Sequence, residues 1–89
     1  MEWEFMGGVI ERQFTIFCDR ATLESREVQE FIRRADSVVV VRDDETGLMK
    51  VKGIISDYFE SIEEYEELDD ELDEMIRAVR RVGADIFVL

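Results

Sequence analysis

Hydrophobic positions alternate by two over residues 9–18, and this spacing predicts a strand. Three apolar side chains of this segment fall on one face: Phe14, Ile16 and Cys18. Over residues 22–35 the spacing changes to three and four, which predicts a helix with Thr22 as its N-cap. A short alternating segment at residues 3–5 could add one more strand before these two elements.

The middle of the chain has the pattern of a hairpin. Residues 38–41 are successive valines, and an unbroken β-branched run is typical of a strand that is buried on both faces or central in a sheet. Residues 43–47 then provide turn chemistry, with Gly47 available for a positive φ. The return strand is predicted over residues 48–55.

A second and longer helix is predicted over residues 61–82, with a slightly earlier start near Ser56 as an alternative. Ser61 and Glu64 have the spacing of a capping box at its start, and Gly83 suits the position just after its end. Its apolar residues recur at steps of three and four: Tyr65, Leu68, Leu72, Met75, Ile76, Val79 and Val82. A last strand is predicted over residues 84–89.

The predicted element order is β-α-β-β-α-β, which resembles the ferredoxin-like, split βαβ arrangement. This resemblance implies an α+β fold built as a two-layer sandwich, with an antiparallel sheet and two helices on one face. At 89 residues, the chain fits a single domain over 1–89. The predicted core residues are Phe14, Ile16, Phe31, Val39, Val41, Ile54, Leu72, Ile76, Val79 and Phe87.

Composition favours a small globular protein of a reducing compartment. No run of about 18 apolar residues is present, so no transmembrane helix is expected. Cys18 is the only cysteine and cannot form an intramolecular disulfide, which favours the cytoplasm. Charged residues make up 38% of the chain and neither His nor Asn occurs, which favours a thermophilic source even though Pro is also absent.

Nearly all of the net charge of −12 comes from one segment. Residues 53–76 hold eleven of the 23 acidic residues and no basic one, whereas the remaining 12 acids are balanced by 11 bases. Nine of the twelve residues in EEYEELDDELDE, at 63–74, are acidic. Such a segment repels duplex nucleic acid and anionic membranes, so neither is an expected partner.

On a helical wheel, these acids lie opposite the apolar stripe. Glu63, Glu67, Asp70 and Glu74 line the crest, Glu66 and Asp73 flank one side of it, and Glu64 and Glu71 flank the other. Like charges at positions i and i+4 each cost roughly 0.2–0.5 kcal/mol in an isolated helix. A solvated face is the simplest interpretation, but a bound cation or a basic partner would recover this lost stability.

Calcium is the first candidate ligand, because it prefers carboxylate oxygens. The candidate metal ligands are Glu63, Glu66, Glu67, Asp70, Asp73 and Glu74. A helix face offers few ligands per ion, so the expected affinity is weak, with a dissociation constant of about 10⁻⁴–10⁻³ M. Mg²⁺ is expected to bind more weakly than Ca²⁺. The loop at residues 43–45 could add oxygens if the fold brings it near. A short α+β chain with its acids gathered on helices, as in EEYEELDDELDE, resembles a small acidic calcium-binding protein of thermophilic methanogens, and this resemblance also implies calcium.

The second candidate is a protein-interaction module whose acidic surface binds a basic protein, for example by mimicking the charge of nucleic acid. A catalytic role is not expected. The chain has no His to serve as a base, Cys18 lies on an apolar strand, and exposed carboxylates lack the environment that separates the pKa values of an acid and base pair.

Overall fold

The computed structural model describes residues 7–89, which form an α+β fold with one antiparallel sheet. The elements in chain order are β1 (Gly8–Cys18), α1 (Arg20–Leu23), α2 (Arg26–Arg34), β2 (Ser37–Arg42), β3 (Met49–Phe59), α3 (Ile62–Arg81) and β4 (Asp85–Val88). The strands lie in the order β2-β3-β1-β4, and each neighbouring pair is antiparallel. The strand predicted at residues 3–5 lies outside the described residues.

The first predicted helix is in fact two helices, and Thr22 is not its N-cap. The Asp19 carboxylate accepts a hydrogen bond of 2.7 Å from the Thr22 backbone N–H, so Asp19 caps α1. The chain then leaves the helical path, and Ser25 caps α2. Two short capping side chains six residues apart each start a helix, because each satisfies an N–H group of a first turn.

The longer helix begins after Ser61 and ends near the predicted position. Strand β3 continues to Phe59, so the return strand is longer than the predicted 48–55 and the helix does not start near Ser56. The Ser61 hydroxyl accepts from the Glu64 N–H at 3.1 Å, and the Glu64 carboxylate reaches back to the Glu60 N–H at 2.7 Å. At the other end, Gly83 adopts a φ of +98°, which lets the Ala84 N–H donate to the Val79 carbonyl. The capping box and the glycine therefore fix both ends of α3.

One hydrophobic core joins the sheet to α2 and α3. Its buried members are Phe14, Ile16, Cys18, Val28, Phe31, Val51, Ile55, Leu72, Ile76, Val79, Ala84 and Ile86. The rings of Phe14 and Phe31 meet edge to face, with their centroids 4.8 Å apart. Opposite Phe14 in the sheet is Gly53, whose missing side chain leaves room for the Phe14 ring.

Four of the predicted core residues are not buried. Val39, Val41 and Phe87 are exposed by 59%, 47% and 61%, and Ile54 is half-buried. All four lie on the sheet face that points away from the core, because Val39 is opposite Lys52 and Phe87 is opposite Thr15 in the sheet register. Among the described strands, β2 is moreover an edge strand rather than a central one. Its run of valines is hydrophobic on both faces, but the described residues cover neither face fully.

Candidate binding surfaces

The six predicted metal ligands lie on the solvent-facing side of α3. We call them the acidic ridge: Glu63, Glu66, Glu67, Asp70, Asp73 and Glu74. Every one of them is exposed, while Leu72, Ile76 and Val79 of the same helix are buried. The helical periodicity of the sequence thus separates the acids from the core, as the wheel predicts.

Two other carboxylates near the ridge form ion pairs with arginines. Asp69 of α3 accepts a hydrogen bond from the Arg12 guanidinium of β1, and Asp57 of β3 lies 2.6 Å from the Arg34 guanidinium of α2. Both pairs are partly shielded from solvent. Within residues 7–89, none of the ridge carboxylates forms such a pair, so their repulsion is not compensated by a neighbouring cation.

The ridge does not form a closed metal-binding cage. Among the residues that the structure describes, no three carboxylate or thiol side chains converge on a point that would hold a metal ion. The loop at residues 43–45 precedes β3 and the ridge follows it, so a strand of 11 residues separates them. A strand of that length spans more than about 30 Å, which keeps the loop away from the first turns of α3.

A second surface is the sheet face that points away from the core, which we call the outer sheet face. Phe17 and Phe87 contact each other there, with ring centroids 6.2 Å apart, and the Lys50 ammonium lies 5.5 Å from the centroid of the Phe17 ring. A shallow depression of about 490 Å³ lies beside them and is lined partly by Thr15, Lys52 and Phe87. This part of the outer sheet face combines aromatic side chains with two lysines, unlike the ridge.

The sequence predicts this surface only in part, because the prediction that Val39, Val41 and Phe87 are core residues is wrong. The alternation within β1 offered a signal, since Phe17 is out of phase with Phe14 and Ile16. A large aromatic residue on the non-core side of a strand indicates that this side, too, has an apolar surface.

Cys18 is an inert core residue. Its side chain is buried in the hydrophobic cluster. Burial raises the pKa of the Cys18 thiol above its ordinary value, and the neighbouring Asp19 carboxylate raises it further. Both effects disfavour the thiolate, which is the nucleophilic form of cysteine.

No family model, curated protein or solved structure matches this chain. None of the helices within residues 7–89 is long and apolar enough to cross a membrane.

Proposed function

We propose that this protein is a non-enzymatic binding module whose acidic ridge docks a basic segment of another protein. One observation carries the proposal: six exposed carboxylates share one side of α3, and within residues 7–89 none has a cationic partner within ion-pair distance. The helix retains a cost in stability that a partner rich in lysine and arginine would remove.

The positions of the basic residues show that the negative charge is concentrated on one surface and is not spread evenly over the protein. Arg12 and Arg34 are engaged by the inward-facing Asp69 and Asp57. The basic residues of α3 lie only near its C-terminal end, as Arg77, Arg80 and Arg81. The ridge therefore presents a single sign of charge over the first three to four turns, which steers a basic partner toward it.

A basic peptide of alternating Lys and Ala, labelled with a fluorophore, tests the docking. Its affinity for the wild-type chain is measured by anisotropy at low and moderate salt. We expect binding that weakens as salt rises, because exposed charges are screened. A ridge variant, E63Q/E67Q/D70N/E74Q, should lose at least about tenfold in affinity, which corresponds to about 1.4 kcal/mol.

The matched control removes the same number of exposed acids elsewhere: E11Q/E24Q/D44N/D85N. Both variants change the net charge from −12 to −8. If the control loses as much affinity as the ridge variant, binding depends on net charge alone and the ridge is not a docking site. Absence of binding to wild type at low salt also counts against the proposal.

Weak binding of a divalent cation, with calcium preferred, is the second candidate. The observation that favours calcium binding is the repulsion among Glu63, Glu67, Asp70 and Glu74, which lie at helical spacing on an exposed face without a cationic partner within residues 7–89. Water would complete the shell of the ion, so the expected affinity stays at about 10⁻⁴–10⁻³ M. It ranks second because, within residues 7–89, no three ligands converge.

Backbone-amide NMR separates this candidate from docking, since no protein partner is needed. Calcium should shift amides of residues 60–75 beyond a NaCl control of equal ionic strength, and MgCl₂ should shift them less. Shifts confined to residues 43–46 would move the site to the hairpin loop. Shifts no larger than those of the NaCl control would exclude the cation.

We further infer that the fold is the ferredoxin-like two-layer sandwich, as the strand order β2-β3-β1-β4 and the shared core of sheet, α2 and α3 support. A buried, unreactive Cys18 is compatible with the cytoplasm that we propose as its location. The high content of charged residues supports a thermophilic source.

A further inference from the structure

Within residues 7–89, strand β2 (Ser37–Arg42) pairs only with β3, so its other edge is free. Its central valines are all exposed: Val39, Val40 and Val41. Only Arg42 is charged in this strand, and proline is absent from it, so none of the usual devices that block an edge interrupts its middle. We propose that β2 pairs antiparallel with β2 of a second copy of this chain, which joins the two sheets across a two-fold axis.

The backbone of β2 is arranged for this pairing. The Asp43 N–H donates to the Leu48 carbonyl at 2.8 Å, so residue 43 directs its N–H group across the hairpin, toward the chain that continues into β3. Hydrogen-bonded and non-hydrogen-bonded pairs alternate along an antiparallel ladder. Val38, Val40 and Arg42 therefore direct their N–H and C=O groups away from β3, toward the free edge.

This alternation limits the register of the dimer. Outward-directed residues must face one another, and a two-fold axis normal to the sheet keeps the core side of both copies on one face. One such register places Val38 opposite Val40 of the second copy. Val39 then lies opposite its own symmetry mate in a non-hydrogen-bonded pair, where Cα atoms approach to about 4.5 Å.

Charge complementarity selects this register. It brings Arg42 of the second copy to the end of β2 at which Asp36 lies, and the symmetry repeats this arrangement at the other end. Both side chains are exposed, and neither is in an ion pair within residues 7–89. The Asp36 N–H donates to the Ile54 carbonyl at 2.9 Å, and one Asp36 oxygen accepts from the Ser56 N–H at 3.0 Å. These bonds hold Asp36 beside β3 at the end of β2, where its side chain is still exposed. A shift of the axis to Val40 would place Arg42 opposite Val38 and away from Asp36.

The acidic ridge lies away from this interface. Helix α3 packs against β3 and β4, and β4 is the edge of the sheet opposite β2. The acidic ridges of the two copies would therefore lie toward the outer ends of the joined sheet. The interface uses residues that the ridge does not include, so dimer formation and partner docking are separate properties.

Sedimentation equilibrium of the full chain over a concentration series tests the dimer. Wild type should form dimers. V39K places two ammonium groups opposite each other at the axis and should weaken the dimer about tenfold or more. V9K is the matched control, because Val9 is also an outer-face valine, with 63% exposure, but lies on β1. It should dimerise like wild type.

Circular dichroism of both variants confirms that they are folded. A wild-type chain that stays monomeric throughout overturns the proposal, as does a V39K variant that dimerises normally. A chain that stays monomeric but binds an extended peptide along β2 would also overturn the proposal, because the edge would then serve another partner.

Engineered disulfides test the register. In a C18A background, V39C should cross-link rapidly under mild oxidation, since its symmetry mate is directly opposite. V41C should not, because the two copies of residue 41 lie at opposite ends of the interface. Faster cross-linking of V40C than of V39C would move the axis and overturn the register.

A mixing experiment tests the ion pairs. R42E alone and D36R alone each bring like charges together at both ends of the interface, so each variant should form a weaker homodimer than wild type. An equal mixture restores opposite charges at both ends, so heterodimers should form more tightly than either homodimer. A mixture no tighter than its components would exclude the Asp36–Arg42 contact.

Discussion

Arg12 of β1 donates a hydrogen bond to Asp69 of α3 and thereby attaches the acidic helix to the sheet. The next residue, Asp70, is exposed on the acidic ridge. D69N should lower the free energy of unfolding by about 0.5–1.5 kcal/mol, because it weakens a partly shielded, charge-assisted contact. D70N is the matched control. It should raise stability by a few tenths of a kcal/mol, since Asp70 repels Glu66 and Glu74. Urea unfolding at low salt measures both, and equal changes for the two would contradict the assignment of Asp69 as the inward carboxylate.

Gly53 should not tolerate a side chain. A Cβ atom at this position would lie 2.6 Å from the Phe14 ring and 2.7 Å from the Ser37 carbonyl oxygen. Because the oxygen belongs to the backbone, moving the ring alone cannot relieve the contact. G53A should therefore destabilise the protein by about 1–3 kcal/mol, as overpacked cores do. S56A, in the same strand, should change stability by less than about 0.5 kcal/mol. Thermal unfolding measures both, and a neutral G53A would show that β2 and β3 can separate locally at no cost.

The Cys18 thiol makes stability fall at alkaline pH. Its pKa is raised in the folded state by burial and by Asp19. This contribution is complete below the ordinary thiol pKa of 9.0 and is lost as the pH rises through the higher folded-state value. Wild type should lose stability more steeply than C18A as the pH rises above 9, because only wild type carries the thiol. Parallel pH profiles would contradict the shift. Alkylation of Cys18 should also be slow until urea unfolds the chain.

Asp19 has the opposite dependence on pH. The Thr22 backbone N–H, and next the Thr22 hydroxyl, lower the pKa of the Asp19 carboxyl below its ordinary value of 3.8. The cap therefore contributes fully above 3.8 and weakens as the pH falls through the folded-state pKa. Carbon-detected NMR should show Asp19 titrating at lower pH in the folded chain than in urea. In T22P, which lacks the N–H, the pKa should rise toward the ordinary value.

The ends of a helix can be predicted from the sequence where a single residue determines them. Ser61, Glu64 and Gly83 fixed the ends of α3, because each satisfies specific backbone groups of a helix terminus. Thr22 was assigned wrongly since Asp19 was an equally good cap three residues earlier. Which of two nearby capping side chains starts the helix depends on the backbone conformation of the residues after it. The spacing of apolar residues does not specify that conformation.

Non-local features could not be predicted in the same way. The valines at 38–41 fit a central strand and an edge strand equally well, because hydrophobicity does not state how many neighbours a strand has. The exposure of the acidic ridge was predictable from its phase relative to Leu72 and Ile76. Asp69 is the exception within the acidic stretch, and its inward contact depends on Arg12, which is 57 positions away in the chain.

The register of β1 with β3 has a consequence for the order of folding. The closest partners in this ladder, Cys18 and Met49, are separated by 31 positions, and Gly8 and Phe59 by 51. By contrast, β2 and β3 are joined by a short turn, and hairpins of this kind form in about 1–10 μs. The ladder between β1 and β3 must first overcome the closure entropy of a much longer loop. Strand β4 pairs with β1, so it waits for the same event. The first described strand to leave the ribosome is therefore expected to be among the last to take its place in the sheet.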